Sequence, residues 1–174
     1  MFPGIGPLSN LIKILHSDAS PAQVAGGVAL GLILGITPLL NVHNLLILFI
    51  ILLIRVNLGS ATLSFLLFSI LAYATDPLSH QIGLKILKSP GLQSLWTDLY
   101  NTPGMRLTRF NNSIVMGSLA LSLLMVAPVW LASFSFVRSY RGTMKAKIDN
   151  LRIVKFVKAS SLYKWYERIR YWAG

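Results

Sequence analysis

Two long apolar stretches, 58–75 and 113–137, the second interrupted only by Pro128, limit what this chain can fold into more than anything else in its sequence. A run of about 20 apolar residues closes its backbone hydrogen bonds internally as a helix and is long enough to cross a bilayer. A soluble fold would instead show one apolar stripe per helix, because it buries only one face. Apolar residues make up 54% of the chain and charged residues 12%, half of the roughly 25% charge typical of soluble domains. Too little charge remains to cover a soluble surface. The expected fold class is all-α, as a polytopic integral membrane protein.

Ahead of these stretches lie two shorter apolar segments, 22–36 and 45–54. Ser20-Pro21-Ala22-Gln23 has the order of a capping box, with proline at the first helical position. Thr37-Pro38 closes the first segment, and Arg55 and Asn57 follow the second. Each is shorter than the roughly 20 residues a span requires. They predict either a re-entrant helical hairpin, whose irregular tip must face protein or water, or two thin spans lengthened by neighbouring residues. Both arrangements return the chain to its starting side.

Three regions result: an N-terminal helix over 1–19, a membrane region over 20–137, and a basic tail over 138–174. Leu8, Leu11, Ile12 and Leu15 share a helical face in the first, which suits an amphipathic helix on the membrane surface or packed on the soluble side. It has neither the charged start nor the small-residue cleavage site of a signal peptide, so it is expected to be retained. Between the two long stretches, 76–112 reads as a polar connection opened by Asp76-Pro77, with Asp76 as a helix cap.

The net charge of +11 is concentrated at one end: 138–174 carries ten Lys and Arg against two acids. A basic segment directly after an apolar run follows the positive-inside rule, so both termini are expected in the cytoplasm and 76–112 outside. That placement argues against nucleic acid as the reason for the charge. Leu162, Trp165, Tyr166, Ile169 and Trp172 share a helical face in the tail, as an interfacial anchor on anionic lipid would. Arg55, Arg138, Arg141 and Lys145 are candidates for phospholipid headgroups, although Arg55 reads equally as a snorkelling anchor.

Gly27, Gly31 and Gly35 recur every four residues and predict a ridge for close helix packing. Thr37, Pro38, Asn41, His43 and Asn44 gather polar groups between apolar segments, where they are costly enough to suggest a ligand site. The two asparagines could instead cap the second short helix. Five acids and three histidines are scattered, cysteine is absent, and no HExxH, phosphate loop or G-x-S-x-G is present. No enzyme activity, metal site or cofactor is expected.

The order Pro21, Gly31-x-x-x-Gly35-x-x-Pro38, a polar tip, an apolar run to Arg55-x-Asn57, and a closing Asp76-Pro77 resembles a bacterial inner-membrane family known only as a domain of unknown function. Asn41 and His43 stand where that family usually has glycine followed by glutamine, and Asp76 stands for an amide. The resemblance implies the inner membrane of Gram-negative-type bacteria. Some relatives are encoded beside a long AsmA-like periplasmic protein of the kind that moves lipid across the envelope, others are joined to glycosyltransferases. It therefore implies a non-enzymatic subunit that anchors or gates an envelope assembly handling phospholipid, with a periplasmic or membrane protein partner. The residues also admit a small oligomeric transporter or channel using the polar tip.

Overall fold

The computed structural model describes Leu11, Ile14, Leu15 and residues 17–144. Its regular elements are all helical: α1 (Pro21–Ile36), α2 (Val42–Leu53), α3 (Leu58–Leu87), α4 (Gln93–Asn101) and α5 (Ser113–Ser139). Short 3-10 turns at Pro90–Leu92 and Met105–Thr108 flank α4, and a π turn at Tyr140–Met144 follows α5.

The capping box opens α1. Ser20 Oγ accepts from the Gln23 N–H at 3.2 Å, and Gln23 Oε1 accepts from the Ser20 N–H at 2.7 Å. Pro38 ends the helix, because the residue before a proline is pushed out of the helical region. Thr37 is accordingly extended, with ψ 147°. The second short helix begins at Val42, so His43 and Asn44 lie in its first turn rather than in a loop. Neither asparagine caps it: Asn41 holds the N-cap position without a side-chain capping bond, and both amides reach backward to the Pro38 carbonyl.

The apolar stretch expected to end at residue 75 is the first part of a longer helix. α3 continues through Asp76 and Pro77 to Leu87, which places Asp76 in a helix interior and not at a cap. Proline costs an interior helix one hydrogen bond, a loss tolerated in long apolar helices that neighbours support. The connection shrinks to 88–112 and is itself folded. Trp96 Nε1 donates to the Ile86 carbonyl at 3.3 Å, turning α4 back onto the end of α3, and its ring lies 6.0 Å from that of Phe110.

α1, α3 and α5 pack against one another, while α2 rests mainly on α1 and the Met105–Thr108 turn. α1 and α3 run parallel. Gly27 meets Asn57, Ser60 and Ala61, Gly31 meets Ala61, Ser64 and Phe65, and Gly35 meets Phe65, Phe68 and Ser69. A Cβ at Gly35 would come within 2.8 Å of the Phe65 carbonyl oxygen, so backbone faces backbone along this seam. Ser64 Oγ adds a hydrogen bond across it to the Val28 carbonyl at 2.7 Å.

α3 and α5 run antiparallel on a second small-residue seam. A Cβ on Gly83 would strike the Ser113 carbonyl, and one on Gly117 would strike the Ser79 carbonyl. Ser79, Ser118 and Ser122 are fully buried there. At the opposite end, Ile14 and Leu15 pack with Val24, Val137 and Tyr140.

α3, and α5 with the turn after it, are long and apolar enough to cross a membrane. Only 17% and 22% of their most apolar windows are buried, whereas a core helix in water would hide most of such a surface. α3 is roughly 45 Å long at 1.5 Å per residue, and α1 ends beside Ser69, roughly 16 Å along it. The hairpin tip therefore lies well short of the far end of α3.

Candidate functional site

The tip is held by its own polar side chains. Thr37 Oγ1 lies 2.7 Å from both the Ile33 carbonyl and Asn44 Oδ1, so its single proton serves one of them at a time. Asn44 Nδ2 donates to the carbonyls of Pro38 at 3.0 Å and Leu39 at 3.3 Å, and Asn41 Nδ2 donates to Pro38 at 2.7 Å. The structure thus joins Thr37, Pro38, Asn41 and Asn44 in one network. Two buried atoms at this tip, Asn41 Oδ1 and His43 Nε2, have no hydrogen-bond partner among the described residues.

Beside the tip runs a groove of about 870 Å³ between α2 and α3. Leu45, Leu48 and Leu52 line one wall, Leu58, Thr62 and Phe65 the other, and Asn41 and Asn44 also border it. Arg106 and Leu107 of the Met105–Thr108 turn and Arg109 just after it also line the groove, and among the described residues its lining includes no acid. That turn is entered by Gly104 at φ 84° and left by Arg109 at φ 55°. A left-handed conformation costs a residue with a Cβ on the order of 1 kcal/mol, so the surrounding chain holds Arg109 there. Arg106 Nε donates to the Tyr100 carbonyl at 3.0 Å, and its guanidinium lies 4.7 Å from the centre of the Tyr100 ring. Among the described residues neither arginine forms an ion pair, and the terminal nitrogens of Arg106 have no hydrogen-bond partner.

Sequence reasoning passed over both arginines, counting them only as charge in the connection. Their role was not visible because the Met105–Thr108 turn meets α2 only through the tertiary fold.

The described cations expected at lipid headgroups, Arg55, Arg138 and Arg141, lie at the opposite end of the molecule. Arg55 and Arg138 are exposed. Arg141, expected at a lipid headgroup, is given instead to the chain's own backbone. It donates to the carbonyls of Ala19 at 2.5 Å, Leu15 at 3.1 Å and Ile14 at 3.4 Å, fastening the N-terminal segment to the end of α5. Replacing Arg141 with glutamine should cost about 2 kcal/mol, the usual worth of hydrogen bonds to a charged group. Limited proteolysis should then cleave ahead of Ser20 faster than in the parent. Lys145 and the anchor Leu162, Trp165, Tyr166, Ile169 and Trp172 lie outside the described residues.

One contact joins residues the sequence kept apart. His80 Nδ1 lies 2.7 Å from Ser113 Oγ on the exposed end of the α3–α5 seam. Asp76, one turn earlier, makes no hydrogen bond or ion pair among the described residues, so no carboxylate orients this histidine. No group of three metal-ligating side chains occurs among the described residues.

These features define a helical protein with two helices long enough to cross a membrane, a short helical pair packed on glycines, and an apolar groove with a cationic mouth. The chain belongs to the family described as "Uncharacterized protein conserved in bacteria (DUF2062)", whose profile matches residues 8–145. It is similar to an "Uncharacterized protein" of Treponema pallidum (strain Nichols), at 30% identity over 160 residues that cover 92% of this chain and 99% of that relative. No solved structure matches it.

Proposed function

We propose that this chain is a non-enzymatic subunit of a bacterial inner membrane that anchors or gates a larger envelope assembly handling phospholipid. In this reading α3 and α5 span the bilayer, and α1 with α2 forms a re-entrant hairpin. The supporting observation is the level of the tip: α1 stops beside Ser69, far short of Leu87, while its glycines are spent on backbone packing against α3. A pair ending beside Ser69, before the apolar part of α3 closes at Thr75, suits a hairpin that re-enters better than two full crossings.

The cytoplasmic side is assigned to the end carrying Arg55, Arg138 and Arg141, in keeping with the basic tail that follows. Residues 88–112 then face the periplasm and offer α4 to a partner there, of the AsmA-like kind the family resemblance suggests. α2 supports the subunit role as well, because only Asn44 and Ile51 of its residues are buried, leaving an apolar face for lipid or protein. The test is a mild-detergent pull-down of the full chain from its native membrane, with mass spectrometry of the eluate. A long periplasmic protein at stoichiometric yield is expected. Recovery of a partner-free monomer would defeat the reading.

A second reading, an oligomeric transporter or channel, is favoured by the two unpartnered atoms at the tip, Asn41 Oδ1 and His43 Nε2. It expects solute flux in reconstituted vesicles that falls at least about tenfold in His43→Ala and Pro38→Ala while the fold persists, the loss of one well-placed polar interaction. Absence of flux in the parent removes it.

A further inference from the structure

We propose that the groove between α2 and α3 holds an acyl chain of an anionic phospholipid of the phosphatidylglycerol type, with its phosphate between Arg106 and Arg109. The inference rests on the lipid-handling reading and names the ligand and its site.

The groove is apolar along its length and cationic at one end. Its walls are leucines from α2 facing Leu58, Thr62 and Phe65 of α3, and among the described residues the two arginines are the only charged ones in its lining. This matches an amphiphile with a single charged head and a long tail. A free anion would leave the apolar trough unfilled, and a neutral lipid would leave two guanidinium groups without a counter-charge. Guanidinium binds phosphate through paired N–H donors, which suits two arginines aimed at one headgroup.

Arg106 is also positioned rather than loose. Arg106 is fixed through its Nε to the Tyr100 carbonyl, which leaves the terminal nitrogens to bind outward. Arg109 is held in the left-handed region, a conformation that a residue with a Cβ adopts at a cost. Asn41, 8% exposed and in the same lining, keeps an Oδ1 acceptor that no described residue satisfies.

In a bilayer the tail gains little by leaving lipid for the groove, since the surrounding chains are as apolar as its walls. Selectivity must therefore come from the mouth, and occupancy from the shape of the trough. The two parts are separable by substitution.

The experiment is native mass spectrometry of the full chain released from nanodiscs containing equal phosphatidylglycerol and phosphatidylethanolamine. The parent is expected to retain phosphatidylglycerol preferentially. Arg106→Gln with Arg109→Gln should lower that preference at least about tenfold, the loss of one charge-assisted contact or more. Thr62→Trp, at an exposed wall position, should lower retention of both lipids. Arg55→Gln with Arg138→Gln, at the far end, should change neither, and circular dichroism should show each variant folded. No preference in the parent, an unchanged preference in the arginine variant, or an equal loss in the far-end variant would each overturn the site. Binding of glycerol phosphate as tight as that of the lipid would overturn the acyl assignment. Partner recovery is scored separately on the same samples. Lipid preference without a partner defeats only the assembly reading, and a partner without lipid preference defeats only this site.

Discussion

Gly117→Ile is expected to keep α3 and α5 from closing, and to leave little folded protein. A side chain there would run into the Ser79 carbonyl, and the matching glycine at position 83 meets Ser113 in the same way, so neither backbone has room to retreat. Inserting methylenes into a tight core costs about 1–3 kcal/mol when side chains can shift. Here the obstacle is main chain, so the upper end of that range or beyond is expected. Thermal unfolding in detergent, followed by circular dichroism, should show a collapse of the transition. Gly91→Ala supplies the contrast, since nothing lies within 4 Å of a Cβ at that position, and its transition should match the parent's. A parent-like transition in Gly117→Ile would mean that the two helices do not meet on this seam.

Asn44→Leu should open the hairpin tip. Its amide serves Thr37, Pro38 and Leu39 at once, and leucine of similar volume removes all three contacts. Carbonyls stripped of donors in apolar surroundings cost about 1–3 kcal/mol each, reduced here because Asn41 still donates to Pro38. A net loss of about 2 kcal/mol is expected. Hydrogen exchange should rise at the last turn of α1 and the first of α2, with α5 unaffected. Equal exchange would show that the turn is held by proline geometry alone.

The parts of this fold that were legible in the sequence are those set by local spacing. Glycines every fourth residue require a close neighbour, and Ser20 with Gln23 requires a helix start, whatever the rest of the chain does. The extent of α3 was not legible. Asp76-Pro77 has the chemistry of a terminator, and only the packing of Ser79 and Gly83 against α5 shows why the helix persists beyond it. Once 76–112 is taken for a loop, Ser79, Gly83, Ser113 and Gly117 cannot be seen as a seam, although their four-residue spacing was the available signal. Arg141 misled for a different reason. A cation after an apolar helix suits a headgroup and a backbone carbonyl alike, and the choice depends on a segment more than 120 residues earlier. The arginines of the groove mouth depend on tertiary folding in the same way.

The position of α1 also dictates an order of assembly. This helix, 16 residues long, packs against both α3 and α5, the second of which is synthesised last among the described helices. During N-to-C synthesis the hairpin emerges without either wall of its slot, and its glycine face has no neighbour until α3 follows. Only when α5 arrives, and Arg141 reaches the Leu15 and Ala19 carbonyls, are the two ends of the described chain latched together. Truncation before α5 would therefore strand the two short helices with one face of α1 uncovered and Arg141 absent from the Leu15 and Ala19 carbonyls.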